Sequence, residues 1–363
     1  MKVLSLFSGV GGFDLGLERA GMETVFQCEW DKHATKILER HWPDVPRWGD
    51  VSTLTGRYIL DHAPVIDVVA WGSPCQDLSV AGKRAGLQGA RSGLFHEGIR
   101  IIKELREFTD GQYPRFSIWE NVAGALSSGG GADFGQVLYE MDEAGACFSE
   151  WRLLDAQYFG VPQRRRRVFV VSVFDSGTAA RCPDPLLPVS EGVRGDSEAG
   201  EPSRETVAGT VTESVGSGNE SVVTFTKGKR AQSVADDETW DEGRPAPTLN
   251  AFDQGDTRAT TLVAAVAYSI REDAKANTFS ATELDRANAL SALRPSPQSH
   301  HAQMFIAESQ MAVRRLTPVE CERLMGWPDG WTDGQADTHR YKQCGNGVAS
   351  PVAEWIGRQI INL

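Results

Sequence analysis

The stretch Lys2-Val3-Leu4-Ser5-Leu6-Phe7-Ser8-Gly9-Val10-Gly11-Gly12 decides the fold of this chain. Its apolar half is typical of a buried strand, and Phe13–Ala20, after the glycines, has the apolar spacing of a helix. Glycines at a strand-to-helix turn let a ligand approach the backbone and meet the amides of the helix N-terminus. The stretch therefore predicts a βα unit that binds a nucleotide-type ligand, the alternative being a tight turn without one. The spacing is not Gly-x-Gly-x-x-Gly, which disfavours a dinucleotide.

The alternation of strand and helix patterns continues to residue 174. Strand patterns are found at Lys2–Phe7, Thr24–Glu29, Ile66–Trp71, Phe116–Trp119, Ser149–Leu154 and Val168–Phe174. Helical patterns are found at Phe13–Ala20, Lys32–His41, His96–Phe108 and Gly135–Ala144. Such units predict an α/β fold with a mostly parallel sheet, helices on both faces and ligands at the carboxyl ends of the strands.

From about residue 175 the chain is rich in Gly, Ser, Thr, Pro and acidic residues, with strand-like pieces at Val222–Thr226 and Thr260–Tyr268. This texture predicts a small, irregular, β-rich domain, with a disordered insertion as the alternative. Order returns near Arg314, where Thr317 as N-cap, followed by Pro and then Glu, indicates a helix start. The last helix, Pro351–Ile361, has the apolar spacing of a segment that packs back on the first domain.

The composition bounds the class of protein. The 363 residues are 40% apolar and 24% charged, as in a globular protein, and no run approaches the ~20 apolar residues of a membrane span. Because no secretory signal opens the sequence, the expected location is the cytoplasm. The six cysteines lack metal-ligand spacing, so neither a metal site nor a disulfide framework is expected.

The distribution of charge matters more than its sum. A net charge of −12 argues mildly against nucleic-acid binding, because phosphate contacts need Lys and Arg. Basic residues are nevertheless concentrated in the block Arg164–Arg167 and, along one glycine-rich segment, at Lys83, Arg84 and Arg91. These groups predict one basic face for an anionic ligand, the alternative being a solvated charged patch.

A cysteine, Cys75, follows the third predicted strand in Gly72-Ser73-Pro74-Cys75-Gln76. A lone cysteine is more often a small buried apolar residue than a nucleophile. Here Pro74 fixes the approach to the thiol, the glycines after it favour a mobile segment, and Lys83 and Arg84 could bind phosphate. This combination predicts a reactive thiol beneath a lid that faces a nucleic acid.

Acidic and turn residues stand near the other strand ends. The Glu29 carboxylate could bind a ribose diol, and the Trp30 indole could stack on adenine. Asp50 could accept a hydrogen bond from an adenine amino group. Alternatively, the two acids could be solvated and Trp30 could be a core aromatic residue. Glu120, before Asn121, is a candidate acid beside the thiol or a cap of the next turn. The stretch Gly345-Asn346-Gly347 is a tight turn with or without a functional role.

Five motifs in this order resemble the C5-cytosine DNA methyltransferase family: Phe-Ser-Gly-x-Gly-Gly (7–12), Pro-Cys-Gln (74–76), Glu-Asn-Val (120–122), Gln-Arg-Arg-x-Arg (163–167) and Gly-Asn-Gly-Val (345–348). The resemblance covers nearly the whole chain except its variable middle. Arg-Arg-Leu-Thr-Pro (314–318) adds a match that in the family supports the target recognition domain. The resemblance implies a Rossmann-like AdoMet-dependent methyltransferase fold. It also implies a catalytic domain of residues 1–180 and 338–363 and a target recognition domain of residues 181–337.

The resemblance also implies roles for individual residues. The positions that match AdoMet contacts are Phe7, Gly9, Gly11, Gly12, Glu29, Trp30, Asp50, Leu94, Asn346 and Val348. The positions that match the catalytic set are Pro74, Cys75, Glu120, Arg165 and Arg167, with Arg165 helping to hold the target base or nearby backbone. Lys83, Arg84 and Arg91 are expected DNA contacts. Bases are expected to be read between Phe225 and Tyr268, by side chains such as Lys227, Lys229, Arg230, Asn250, Gln254 and Arg258.

The implied activity is that of a DNA (cytosine-5-)-methyltransferase on a specific duplex sequence. Carbon 5 of cytosine is a weak nucleophile, so Cys75 would add at carbon 6, with Glu120 at the N3 edge and Arg167 at the carbonyl oxygen of the flipped base. The expected partner is double-stranded DNA and no membrane. A monomer in a bacterial cell or phage-infected host is expected, with a restriction endonuclease, if there is one, acting separately. The acidic stretch Ser190–Glu220 is expected to be a solvent-facing insertion.

Three other functions compete with this one. A tRNA cytosine methyltransferase shares the motifs, but the long variable region favours DNA. A catalytically silent DNA-binding protein that keeps AdoMet as a structural ligand is disfavoured by the intact Pro-Cys-Gln and Glu-Asn-Val motifs. A nicotinamide-dependent oxidoreductase would leave Cys75 without a purpose and needs another glycine spacing.

Overall fold

The structure is a computed structural model that describes residues 1–73, 93–189 and 316–363 together with short strands between residues 223 and 315. Its centre is a seven-stranded sheet in the order β3-β2-β1-β4-β5-β8-β6. The strands of this sheet are β1 (Lys2–Leu6), β2 (Glu23–Cys28), β3 (Arg47–Trp48), β4 (Val68–Trp71), β5 (Phe116–Val122), β6 (Phe148–Asp155) and β8 (Arg166–Val173). The pairs from β3 to β5 are parallel, and β8 runs antiparallel to both of its neighbours. The predicted mostly parallel α/β sheet is confirmed.

Helices cover both faces of this sheet. They are α1 (Gly12–Arg19), α2 (Lys32–His41), α3 (Gly56–His62), α4 (Gly93–Phe108), α5 (Ala132–Glu143), α6 (Ser176–Ala179), α7 (Pro318–Leu324), α8 (Asp337–Asn346) and α9 (Ser350–Ile361). Successive residues of β1 enter different cores: Val3 packs with Phe13, Leu17 and Ile356, and Leu4 belongs to the core of the opposite face. Both faces of the sheet are therefore buried, which explains why its strands read as continuous apolar runs.

The C-terminal helix packs on the first helix, as its apolar spacing predicts. Gly16 of α1 lies so close to α9 that a Cβ there would be 2.5 Å from the carbonyl oxygen of Ser350. The Ser350 hydroxyl donates to the Gly12 carbonyl at 2.8 Å. These contacts place the start of α9 directly behind the glycine turn.

The helix start at Thr317 is also confirmed. The Thr317 hydroxyl accepts from the Glu320 amide at 3.3 Å, and the Glu320 carboxylate accepts from the Thr317 amide at 2.6 Å. This reciprocal capping box fixes the first turn of α7.

Strands dominate the described parts of the middle region. They are β9 (Val223–Lys229), β10 (Thr239–Glu242), β11 (Ala246–Pro247), β12 (Thr261–Ala264), β13 (Tyr268–Glu272), β14 (Phe279–Glu283) and β15 (Arg314–Arg315). One sheet has the order β10-β9-β12-β15, β13 pairs with β14, and β11 pairs in parallel with β7 (Gln163–Arg164). The β-rich character predicted for this region is confirmed, whereas the domain boundaries stay a prediction. The stretch Ser190–Glu220 lies outside the described residues.

Several described elements were not predicted from the sequence. They include the two-residue strands β3 and β7, the short helices α3 and α6, and the ten-residue helix α8. Within the described part of the chain, no helix is long and apolar enough to cross a membrane.

Candidate active site

A buried ion pair lies at the carboxyl end of β5. Arg167 Nε is 2.9 Å from Glu120 Oε1, and the two side chains are only 14% and 12% exposed. Strand β5 continues to Val122, so Glu120 is a strand residue and not the cap of a turn. In the antiparallel register Val122 faces Arg167 and Glu120 faces Phe169, which makes the ion pair a diagonal contact across two strands.

The environment of Glu120 changes its acidity. Burial raises the pKa of this carboxyl above its ordinary value, and the charges of Arg167 and Arg165 oppose that rise. A carboxyl with a raised pKa keeps its proton at a higher pH than a solvated one does. Glu120 can thus act as a hydrogen-bond donor or a proton source to a ligand at this strand end.

The end of β4 is tied to β5 just before the predicted nucleophile. Asn121 Nδ2 donates to the Ser73 carbonyl at 3.3 Å, and Trp119 Nε1 donates to the Ser73 hydroxyl at 3.3 Å. Gly72 faces the carboxyl on the other side of the sheet, where a Cβ would be 3.1 Å from Glu120 Oε2. Ser73, which the sequence did not single out, thus joins the end of β4 to β5. The predicted residues Pro74, Cys75, Lys83, Arg84 and Arg91 lie outside the described residues.

The glycine turn after β1 forms a second part of the site. Phe7, Gly9 and Gly11 all have a positive φ, of 55°, 57° and 83°, and the Gly11 amide donates to the Ser8 carbonyl at 2.9 Å. A Cβ on Gly9 would meet no atom within 4 Å, so the turn opens to a space in which a ligand could lie. A Cβ on Gly12 would instead be 2.5 Å from the carbonyl oxygen of Val348.

The end of β2 borders this turn. The Glu29 carboxylate accepts from the Gly9 amide and from the Asp31 amide, each at 2.7 Å, and burial raises its pKa. Trp30 is 77% exposed and is therefore not a core aromatic residue. Asp50 caps a short 3-10 helix by accepting from the Ser52 amide at 3.0 Å. The four predicted cofactor residues Phe7, Gly9, Glu29 and Trp30 are thus adjacent, while Asp50 forms hydrogen bonds with residues of its own turn.

The remaining predicted cofactor residues come from two other elements. Leu94 is half-buried in the first turn of α4. Asn346 is the exposed last residue of α8, and Val348 follows it against the glycine turn. Lys342 Nζ lies 3.0 Å from Asp31 Oδ2, which docks α8 beside Trp30.

Arg165 links the two parts of the site. Its side chain is only 2% exposed, and its guanidinium donates to the carbonyls of Gly345 and Gly347. Its backbone amide donates to Asp155 Oδ1 at 2.8 Å. The resemblance implied a role for Arg165 at the target base or nearby backbone, and that role stays a prediction.

The chain matches known proteins over its whole length. A family model described as C-5 cytosine-specific DNA methylase matches residues 1–362. The Type II methyltransferase M1.ScrFI of Lactococcus lactis subsp. cremoris is 28% identical over 365 residues, which cover 100% of this chain and 78% of that protein. An Escherichia phage P1 protein named DNA N-6-adenine-methyltransferase is 27% identical, and the match covers 98% of this chain but only 60% of that protein.

Solved structures support the fold. The S. pombe Dnmt2 methyltransferase aligns with a TM-score of 0.60 at 17% sequence identity, covering 100% of this chain and 99% of that one. The family match, the α/β sheet and the motif order agree with one another. The chain therefore belongs to the C-5 cytosine-specific DNA methylase family, and its enzymatic class is that of a DNA (cytosine-5-)-methyltransferase.

Proposed function

We propose that this chain transfers a methyl group from AdoMet to carbon 5 of a flipped cytosine in a specific duplex DNA sequence, through a covalent bond between Cys75 and carbon 6. The observation that carries the proposal is the buried Glu120–Arg167 pair, 2.9 Å apart, beside the strand end that leads to Pro74 and Cys75. This pair offers a proton and a fixed cation where a cytosine needs both.

The residues present fit AdoMet. The turn at Gly9 opens to free space, the exposed Trp30 indole offers a stacking surface, and the Glu29 carboxylate stands between them. The other members of the proposed set are Phe7, Gly11, Gly12, Asp50, Leu94, Asn346 and Val348. When bound, AdoMet supplies an electrophilic methyl group.

The protein residues prepare the cytosine for that group. The Cys75 thiolate adds to carbon 6, and the electron pair of the carbon 5–carbon 6 double bond moves into the ring. A protonated Glu120 donates to N3 and stabilises the charge that develops there, and Arg167 donates to the carbonyl oxygen. After carbon 5 has taken the methyl group, water accepts its proton, the electron pair of that C–H bond re-forms the carbon 5–carbon 6 double bond, and the thiolate leaves carbon 6. The aromatic ring and the Cys75 thiolate are then restored.

Duplex DNA is the proposed substrate. The target carbon cannot be reached inside a base stack, so the cytosine must leave the helix, and the basic residues Lys83, Arg84 and Arg91 are proposed to bind the backbone around it. The strands of the middle region, residues 223–315, are proposed to read the sequence. Because its relatives are named Type II methyltransferases, we propose a monomeric modification enzyme whose restriction partner, if any, acts separately.

Mechanism-based trapping tests this function. Duplex DNA that carries 5-fluorocytosine has no proton to lose from carbon 5, so the reaction should stop at the covalent adduct. We expect an SDS-resistant protein–DNA complex that needs AdoMet, and none on a tRNA carrying the same base.

A matched cysteine variant controls the trapping experiment. Cys147 is an exposed free thiol away from the site, so Cys147→Ala should still form the adduct. Cys75→Ala should form none. An adduct with Cys75→Ala, or trapping on tRNA alone, would overturn the proposal.

A further inference from the structure

Arg165 holds the end of helix α8. One guanidinium nitrogen lies 3.3 Å and another 3.2 Å from the Gly345 carbonyl oxygen, and the second also donates to the Gly347 carbonyl. The last carbonyls of a helix have no partner within it, and the helix dipole makes that end negative. A planar, charged fork such as guanidinium suits two neighbouring carbonyls better than a Lys ammonium does.

The glycine turn after β1 packs against the segment 345–348 that Arg165 binds. Gly347 ends α8 and is followed by Val348, whose backbone would collide with any Cβ on Gly12. The Val348 carbonyl also accepts from Trp327 Nε1 at 3.3 Å. The segment 345–348 is thus fixed between Arg165 and the loop that faces the cofactor space.

The backbone of Arg165 is equally fixed. Its amide donates to Asp155 Oδ1 at 2.8 Å, and its carbonyl accepts from the Ala156 amide at 3.1 Å. Two residues later, at the second residue of β8, Arg167 pairs with Glu120. One short strand entrance therefore carries both the clamp on segment 345–348 and the partner of the catalytic carboxyl.

We infer that Arg165 is a positioning residue that couples the AdoMet-binding turn at Asn346 and Val348 to the Glu120–Arg167 pair, and that it does not contact DNA. This inference rests on the proposed function, since it takes that turn as part of the cofactor site. It gives Arg165 a role different from the one implied by resemblance. With its side chain almost fully buried against helix carbonyls, Arg165 contributes through the turn and not through phosphate.

Affinity measurements on two variants test the inference. Arg165→Lys keeps the positive charge but loses the planar guanidinium with its paired N–H donors, and Arg165→Gln loses both. Each should raise the Kd for AdoMet by about tenfold or more, because charge-assisted hydrogen bonds are lost. The Kd for duplex DNA should change less than twofold, and its salt dependence should keep its slope, which would fall by about one for a lost phosphate contact.

The neighbouring Arg166 is the matched control. It is exposed at the first residue of β8, so Arg166→Lys should leave AdoMet affinity unchanged. The inference is overturned if Arg165→Gln lowers the salt slope for DNA while AdoMet affinity stays at the wild-type value.

If the variants do not fold, amide hydrogen exchange of the wild-type protein with and without AdoMet tests the same coupling. AdoMet should slow amide exchange in residues 345–348 and in residues 164–168 together. Protection of only the first segment would contradict the coupling. A wild-type protein that shows this coupled protection but transfers no methyl group to cytosine would defeat the proposed function and leave the role of Arg165 standing. A wild-type protein that binds no AdoMet would overturn both.

Discussion

Glu120 and Arg167 form a diagonal ion pair across the antiparallel strands β5 and β8, with 2.9 Å between Arg167 Nε and Glu120 Oε1. The two side chains are largely buried, at the end of the sheet where the segment with Pro74 and Cys75 begins. A carboxyl in this position is held in one orientation by its partner, while its raised pKa keeps a proton accessible to a ligand. Most consequences of the proposed mechanism can be tested at these two residues.

Replacing Glu120 by Gln should remove the proton source without disturbing the fold. The Gln carbonyl can still accept from Arg167, but the guanidinium loses its counter-charge, so the free energy of unfolding should fall by about 1–3 kcal/mol. The rate of methyl transfer in a single turnover should fall by about 10²–10³-fold, the usual effect of losing one donor to a developing charge. The exposed Glu143→Gln serves as control and should keep the wild-type rate. A Glu120→Gln enzyme as fast as wild type would contradict the assigned role.

Replacing Arg167 by Met should make stability depend more strongly on pH. The Arg167 charge lowers the pKa of Glu120, so its loss raises that pKa further above the unfolded value. The folded variant then binds more protons than the unfolded chain at pH values above the ordinary Glu pKa, and its stability falls as pH rises. Urea unfolding should show a loss of about 3 kcal/mol at pH 8 and a smaller one at pH 5. An equal loss at both values would show that Glu120 does not respond to Arg167.

Replacing Gly12 by Ala should damage the cofactor site. The added Cβ would lie 2.5 Å from the Val348 carbonyl oxygen and 3.0 Å from its nitrogen, and both are backbone atoms that can only move together with the turn. We expect the Kd for AdoMet to rise by about tenfold or more, with DNA affinity retained. Calorimetric titration measures the first, and Gly135→Ala, where a Cβ meets open space, is the control. Unchanged AdoMet affinity in Gly12→Ala would remove Val348 from the site.

Asp14 behind the glycine turn should give the protein a pH-dependent stability. Burial raises its pKa to about 6, although Gln27 Nε2 at 2.9 Å and the Ser5 hydroxyl at 3.0 Å donate to the carboxylate. A folded pKa above the unfolded one means that stability from this group is present at low pH and is lost as pH rises toward 6. Relative to wild type, Asp14→Asn should therefore gain up to about 3 kcal/mol of unfolding free energy between pH 4 and pH 7, at 1.36 kcal/mol per pKa unit. A difference that stays constant over this range would refute the assignment.

The local sequence predicted the elements that have local causes. The apolar run of β1, its glycine turn and α1 were predicted within a residue or two, and the capping box at Thr317 was predicted from three residues. The strand β3 and the helix α3 were missed, because two residues and seven residues are too short to show a period.

The contacts that assemble the site could not be predicted in this way. The pairing of Glu120 with Arg167 depends on β8 running antiparallel next to β5, and no local pattern encodes that register. The clamp from Arg165 to Gly345 joins residues 180 positions apart. The motifs indicated which residues matter, and only the tertiary fold shows which of them touch.

Bisulfite sequencing of DNA from a host that expresses the protein is the most direct test of cytosine methylation by Cys75. Methylation at carbon 5 protects cytosine from conversion, so one short sequence should appear protected throughout the genome of cells with the wild-type chain. Cells that express Cys75→Ala should show full conversion at the same sites. Complete conversion with the folded wild-type protein, or protection that persists with Cys75→Ala, would contradict the account.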